Sequence, residues 1–228
     1  LFFRMFGVFL LLPIFSVLAM DLEEAKYVKK SAEESNIPVL IDHIHILHPA
    51  YQALKSILNK YGSIKHITSV GGNYGPFNNT PPLWDWGVHD VSLCIDMLGL
   101  DITLCNVKLL DTNEGEPNKG EIIRLNIISK DNIEGELTFG NIMRNKTRLL
   151  TVECQSAKII LDDVRKKLSV TSDKKTYDEV FPSISPLKNA LNIFISGIRN
   201  KEYKSFGLDI GVRSVEILSE AYTQLYST

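Results

Sequence analysis

Residues 102 to about 170 constrain the fold of this 228-residue chain most strongly. They contain β-type segments near 102–110, 120–130, 133–140, 146–154 and 157–162, with a candidate sixth near 166–171. Short turns join these segments, and no helical pattern long enough to connect parallel strands lies between them. The stretch therefore predicts an antiparallel meander.

Helical patterns precede and follow this β-rich stretch. Before it, apolar spacing and the Gly and Pro positions predict helices beginning at 21 and 48, buried strands over 37–44 and 64–70, a loop over 71–83 and a helix over 85–98. After it, the same criteria predict helices over 183–200 and 209–226. We expect these last two helices to cover one face of the sheet, leaving the other face polar or covered by a partner.

The bulk composition excludes two classes of protein. A net charge of −2 argues against a nucleic-acid-binding surface, because such surfaces usually carry a basic excess. A hydrophobic content of 44% with 23% charged residues is typical of a folded chain rather than a disordered one. We therefore expect no nucleic-acid partner.

The cysteines and the amino-terminal segment indicate different compartments. Cys94, Cys105 and Cys154 form neither a disulfide framework nor a zinc pattern, which favours a reducing compartment and hence the cytoplasm. Residues 1–20 are nearly all apolar, with Arg4 as their only charge, and they resemble a secretory signal or a membrane segment. A membrane-anchored or secreted protein is therefore the alternative to a cytoplasmic one.

The segment over 81–90 holds the best candidates for catalysis. Asp85 and His89 are four residues apart at the predicted start of a helix, so their side chains share one face. A nearby carboxylate can orient an imidazole and raise its basicity, which is a general-base arrangement. The alternative is a helix cap beside a hydrogen-bonded histidine. Asn73 and Trp84 are expected to contact a substrate in the same cleft.

A second group of polar side chains lies in the sequence Asp-His-Ile-His-Ile-Leu-His over 42–48. On a strand, His43 and His45 would point to the same side, and such a pair can hold a metal ion. A closed metal site needs more ligands, and outside this segment the chain has only His66 and His89 as further histidines. We therefore expect no metal and interpret His45 as part of a substrate pocket, with structural histidines as the alternative.

The order of these segments resembles the Gfo/Idh/MocA family, named after glucose–fructose oxidoreductase, inositol dehydrogenase and a rhizopine-catabolism protein. Residues 18–25 look like the helix start that follows the family's Glu-Lys-Pro motif. Residues 37–51 look like the last strand of its nucleotide-binding domain and the crossing helix. Asp85-x-x-x-His89, followed by a helix ending in Leu98-Gly99, is similar to the family's catalytic segment.

The resemblance implies a two-domain enzyme that moves hydride between NAD or NADP and a hydroxyl carbon of a sugar, a polyol or a related compound. It implies that His89 is the acid/base on the substrate oxygen, and that Asp85 orients His89 and touches the substrate. It also implies an open sheet face through which the chain forms a homo-oligomer.

Two departures from the family pattern limit what this chain is expected to do alone. No Gly-rich nucleotide fingerprint precedes residue 18, and Ser16 stands where the family has its catalytic Lys. We therefore expect an apolar segment of doubtful origin over 1–20, a nucleotide-domain remnant over 21–47 and a substrate and oligomerisation domain over 48–228.

The predicted fold class is α+β, a mostly antiparallel open sheet covered by helices on one face and preceded by a remnant of a Rossmann α/β domain. As a fragment of this kind, the chain is expected to be inactive and to bind neither NAD nor NADP tightly. The alternative is a non-catalytic sugar-binding or oligomerisation module, including a secreted one.

Overall fold

An eight-stranded sheet forms the centre of the computed structural model, which describes residues 18–35, 39–75, 77, 80–113, 120–200 and 206–227. The strands are β1 (Ile64–Tyr74), β2 (Ile102–Thr112), β3 (Glu121–Ser129), β4 (Glu134–Gly140), β5 (Ile142–Cys154), β6 (Ala157–Asp162), β7 (Lys167–Ser172) and β8 (Lys175–Glu179). The helices are α1 (Leu22–Glu34), α2 (Pro49–Leu58), α3 (Pro82–Asp85), α4 (Gly87–Leu98), α5 (Pro186–Asn200) and α6 (Leu208–Tyr226).

The order of the strands is β2-β3-β4-β1-β5-β6-β7-β8. All neighbours run antiparallel except β1 and β4, which run parallel. The predicted α+β class with a mostly antiparallel open sheet is therefore confirmed. The predicted meander is wrong at one place, because β1, although it precedes the other strands, lies between β4 and β5.

Asn141 carries the chain from β4 past the end of β1 to β5. Its N–H donates to the Glu121 carbonyl at 3.1 Å, and its own carbonyl accepts from the Gly75 N–H at 2.8 Å. Its side-chain oxygen accepts from the Glu121 N–H at 2.9 Å. Since Asn141 is buried, these bonds give partners to backbone groups that would otherwise be costly to remove from water.

The helices and the inward face of the sheet share one apolar core. Alternate residues of each strand point into it, such as Ile123, Leu125 and Ile127 of β3, because successive side chains of a strand point to opposite faces. Helices α4 and α6 pack against each other here. Helix α1 joins the same core through Ala25 and packs on α6, while the division at residues 47 and 48 stays a prediction.

Three local predictions differ from the structure. Residues 39–44 form no strand, since only Leu40 makes an isolated bridge, to Phe206; Ile41 is buried with Leu208 of α6, and residues 37 and 38 lie outside the described residues. The loop expected from residue 71 begins later, since β1 continues to Tyr74. The helix expected over 85–98 begins at Gly87 and follows a separate short helix.

The apolar amino-terminal segment falls almost wholly outside the described residues, which begin at Leu18. Among the helices that the structure describes, none combines the length and the apolar character needed to cross a bilayer.

Candidate functional site

The two predicted catalytic residues lie on different helices. Helix α3 ends at Asp85 and α4 begins at Gly87, with Trp86 between them at φ −105° and ψ −44°. Asp85 reaches solvent but is partly desolvated; this partial desolvation raises the pKa of its carboxyl, and the nearby Arg148 guanidinium opposes the rise. Within the described residues the buried Nδ1 of His89 has no hydrogen-bond partner, so the Asp85 carboxylate does not orient this nitrogen.

His45 and His89 are the two predicted site residues that the structure brings together. Their ring centroids are 4.6 Å apart with an interplanar angle of 82°, an edge-to-face arrangement. His45 comes from the turn before α2, and His89 comes from the first turn of α4. Two segments that are distant in sequence therefore contribute one imidazole each to the same place.

Arg148 of β5 joins these rings to the rest of the site. Its guanidinium donates to His45 Nε2 and lies 5.0 Å from the centre of the Trp86 ring. Its Nη1 is 3.6 Å from Oδ1 of Asp90, which also accepts from the Ser69 hydroxyl at 3.0 Å. Asp90 is only 1% exposed, and a carboxylate at that depth requires such charged and polar partners.

Gly71 of β1 leaves the space that the guanidinium occupies. A Cβ at this position would lie 2.5 Å from Arg148 Nη1 and 3.5 Å from Asp90 Oδ2. The absence of a side chain at Gly71 therefore allows the cation to lie against the backbone of the central strand.

A pocket of about 30 Å³ opens beside this cluster. Its lining combines Tyr51 and four leucines with the polar residues His45, His48, Ser69, Asp90, Arg148 and Asp163, and His89 lies outside this lining. His48 Nε2 lies 3.0 Å from Asp163 Oδ1, while His48 Nδ1 accepts from the Ala50 N–H and caps α2. A pocket of this size has room for a hydroxyl group.

Burial keeps the imidazoles of this region neutral. It lowers the pKa of His43 to about 4 and, with a further contribution from Arg148, that of His89 to about 3. Burial first and Arg148 second also hold the pKa of His45 well below its usual range. A neutral imidazole offers one donor and one acceptor, which is the state that can take a proton from a ligand.

The free energy of unfolding is expected to fall as the pH drops below about 6.5, the ordinary pKa of histidine. Folded His43 binds its proton only near pH 4, whereas the unfolded chain binds it from about 6.5 downward. Between these pH values the unfolded state holds one more proton than the folded state. The free energy of unfolding therefore falls by roughly 1 kcal/mol for each pH unit of acidification, from this ring alone. Urea unfolding at a series of pH values measures the slope.

His43→Gln is the matched variant for this measurement. The amide can replace the bond that His43 Nε2 makes to the Gly207 carbonyl at 3.1 Å, but it does not titrate. We expect the free energy of unfolding of the variant to depend less steeply on pH, by a slope that corresponds to about one proton. A slope identical to that of the wild type would show that His43 is not a source of the acid sensitivity.

The other two predicted contacts take different positions. Asn73 lies near the end of β1, and its buried Oδ1 has no partner in the part of the chain that the structure describes. Trp84 is 3% exposed and packs in the apolar core, whereas its neighbour Trp86 carries the Arg148 contact. Sequence reasoning missed Arg148. The available signal was its position two residues before the buried Leu150, which puts both side chains on the inward face of β5.

Several solved structures share this fold. A protein from Magnetospirillum magnetotacticum MS-1 named as an oxidoreductase matches with a TM-score of 0.76 and 27% identity, over 88% of this chain and 68% of its own. KijD10, a 3-ketoreductase from Actinomadura kijaniata in complex with NADP and TDP-benzene, matches with a TM-score of 0.78 and 14% identity, over 90% of this chain and 68% of its own. UDP-N-acetylglucosamine 3-dehydrogenase GnnA from Acidithiobacillus ferrooxidans matches at 0.74 and 18%, over 90% and 66%. No protein-family model and no curated protein matches the sequence.

The sheet and its covering helices thus define a domain with an oxidoreductase fold. The resemblance to the Gfo/Idh/MocA oxidoreductases is confirmed, because the chain has the fold of their C-terminal domain. It spans about two thirds of the length of the structures that it matches.

The described residues do not provide a site for a dinucleotide. Such a site needs parallel strands joined through helices, with a Gly-rich turn at a helix start. Here the described strands form one sheet with a single parallel pair, β1 and β4. The described strands therefore lack the parallel strand–helix arrangement in which a pyrophosphate is bound at a helix start.

Proposed function

We propose that this chain is the substrate side of an NAD(P)-dependent oxidoreductase acting on a hydroxyl carbon of a sugar, a polyol or a related compound. The observation that carries the proposal is the contact of His89 with His45, which together with Arg148 lines a pocket, in a domain with an oxidoreductase fold. The names of two neighbours, a 3-ketoreductase with bound NADP and a UDP-N-acetylglucosamine 3-dehydrogenase, support the cofactor and the substrate class.

His89 is the proposed acid/base. In enzymes of this kind the nicotinamide gives or takes the hydride, so the protein must move the hydroxyl proton. Burial lowers the pKa of His89 to about 3, so its ring is neutral near pH 7 and offers an acceptor nitrogen, but so low a pKa also makes it a weak base in this state. The side chain of His89 is half-buried, and whichever ring nitrogen carries no proton can accept one from a ligand.

The remaining site residues are proposed as substrate contacts. The exposed carboxylate of Asp85 is placed to accept from a sugar hydroxyl. His45 lines the pocket, whereas Asn73 lies outside its lining, so a contact of Asn73 with substrate stays a prediction. Contact of Trp84 with a substrate stays a prediction, and its place in the core means that such contact requires the ring to become exposed.

The 228-residue chain by itself is expected to bind neither NADH nor NADPH tightly and to be inactive, because its described residues offer no dinucleotide site. Titration of the chain with each reduced cofactor, followed by nicotinamide fluorescence, measures this. We expect no saturable change in nicotinamide fluorescence. Tight saturable binding would contradict the proposal that this chain supplies only the substrate side of the enzyme.

Assays of the full-length protein test the proposed reaction. Free sugars, polyols and nucleotide sugars are offered with NAD⁺ and with NADP⁺, and formation of reduced nicotinamide is followed. We expect one group of hydroxyl compounds to give turnover. Sugar binding without any reduced nicotinamide would indicate the non-catalytic module instead.

A homo-oligomer and a cytoplasmic location belong to the same proposal. The outward side chains of β3 mix apolar and polar residues, Ile122, Arg124, Asn126 and Ile128, as subunit interfaces do. Sedimentation velocity is expected to show a dimer or a larger species, and a strict monomer would contradict it. The free cysteines favour a reducing compartment, and hence the cytoplasm. Sequencing of the mature amino terminus tests this location, because removal of an apolar leader would indicate secretion.

A further inference from the structure

The hydrogen bond between Arg148 and His45 determines where the proton of His45 lies. A guanidinium only donates and stays protonated in proteins, so the His45 Nε2 that it contacts must be an acceptor. The proton of His45 is therefore on Nδ1, and the ring is neutral. A second proton on this ring would break the bond and bring two cations together.

The position of His45 in turn affects His89. The two rings meet edge to face at 4.6 Å, so the orientation of one limits the orientation of the other. Arg148 itself contacts Asp90 and the Trp86 ring, and the absence of a side chain at Gly71 leaves room for its guanidinium. The cation is thus fixed from α4, from the residue that precedes it and from β1.

We propose that Arg148 is the positioning residue of this site: it fixes His45 as a neutral acceptor and thereby holds the His89 ring, uncharged, in place for a substrate. The catalytic meaning of this arrangement rests on the proposed function of His89. The effect of Arg148 on the two rings does not, and it can be measured separately.

Other titratable groups also face the two rings. His48 acts on His45 and His43 acts on His89, both from the segment before α2. Asp85 and Asp90 act on Arg148, and Asp163 contacts His48. Replacing Arg148 also removes a positive charge that lowers the pKa of Asp85, Asp90 and Asp163, so the titrations of these carboxyls are followed alongside those of the two rings.

The test is a pH titration of the imidazole nitrogens by NMR in the 228-residue chain. In Arg148→Met, His45 is expected to lose its fixed Nδ1–H form, and its pKa to rise by about one pH unit or more. The pKa of His89 is expected to rise by less, because its burial remains. Arg148→Lys keeps the charge but not the planar fork, so the pKa values stay low while the tautomer signals of His45 change.

Two further comparisons keep this test decisive. Arg144→Met removes an exposed arginine from the same strand and is expected to leave both titrations unchanged. If Arg148→Met does not fold, because Asp90 is left buried without its cation, Asp90→Asn is compared with the Asp90→Asn/Arg148→Met double variant. Identical His45 and His89 titrations with and without Arg148 would overturn the proposal.

The outcomes separate this proposal from the proposed function. If the titrations move but His89→Asn leaves turnover of the full-length protein unchanged, Arg148 positions the rings and the assigned role of His89 fails. If turnover requires His89 but the titrations do not respond to Arg148, the role of Arg148 fails alone.

Discussion

Turnover of the full-length protein is expected to fall by about 10²–10⁴-fold when His89 is replaced by asparagine, the range that a positioned acid/base contributes. Asparagine keeps much of the volume of the ring beside His45 but cannot take a proton near pH 7. Because proton transfer occurs in the transition state, the loss should appear in kcat as well as in kcat/KM.

The control for this loss is a histidine outside the cluster. His66 lies at the start of β1, opposite Glu134 and Glu153 of the neighbouring strands, and His66→Asn is expected to leave turnover unchanged. Circular dichroism and urea unfolding of both variants exclude a loss through misfolding. Full turnover by folded His89→Asn would rule out the role assigned to this ring.

Replacing Phe139 with alanine is expected to lower the free energy of unfolding by roughly 3–5 kcal/mol. Phe139 of β4 is fully buried, and its ring lies under the first turn of α4, where a Cβ on Gly87 would come within 2.8 Å of it. Removing the ring leaves a cavity between the sheet and the helix that carries His89. A loss of this size is a large part of the 5–15 kcal/mol typical of a domain.

Phe77→Ala is the matched control, since the side chain of Phe77 is 45% exposed. We expect this substitution to lower the free energy of unfolding by no more than about 1 kcal/mol. Urea unfolding of both variants measures the difference. Equal and small losses would show that the contact between β4 and α4 does not stabilise this domain as described.

The sequence predicted the strands well where one face of each is buried. Residues Ile123, Leu125 and Ile127 alternate with less buried neighbours, which is a local signal of a half-buried strand. The sequence missed β8, because its residues are largely exposed and show no apolar alternation. It also could not place β1 beside β4, because the pairing of strands distant in sequence depends on the packing of the whole sheet.

The candidate site was predicted in part. The Gfo/Idh/MocA resemblance indicated His89, and the polar segment before α2 indicated His45, but nothing local could show that their rings meet. Arg148 was missed because its importance comes from three contacts with other elements. The break at Trp86, which separates Asp85 from the helix of His89, follows from backbone angles that the spacing of residues does not determine.

Transfer of deuterium from deuterated NADPH or NADH to a ketone substrate tests the central claim most directly. With the full-length protein and its substrate, mass spectrometry is expected to find the label on the carbon that bears the new hydroxyl group, and to find almost none with His89→Asn. If the label never leaves the nicotinamide with any sugar or polyol ketone offered, or if His89→Asn transfers it as fast as the wild type, the proposed oxidoreductase site is contradicted.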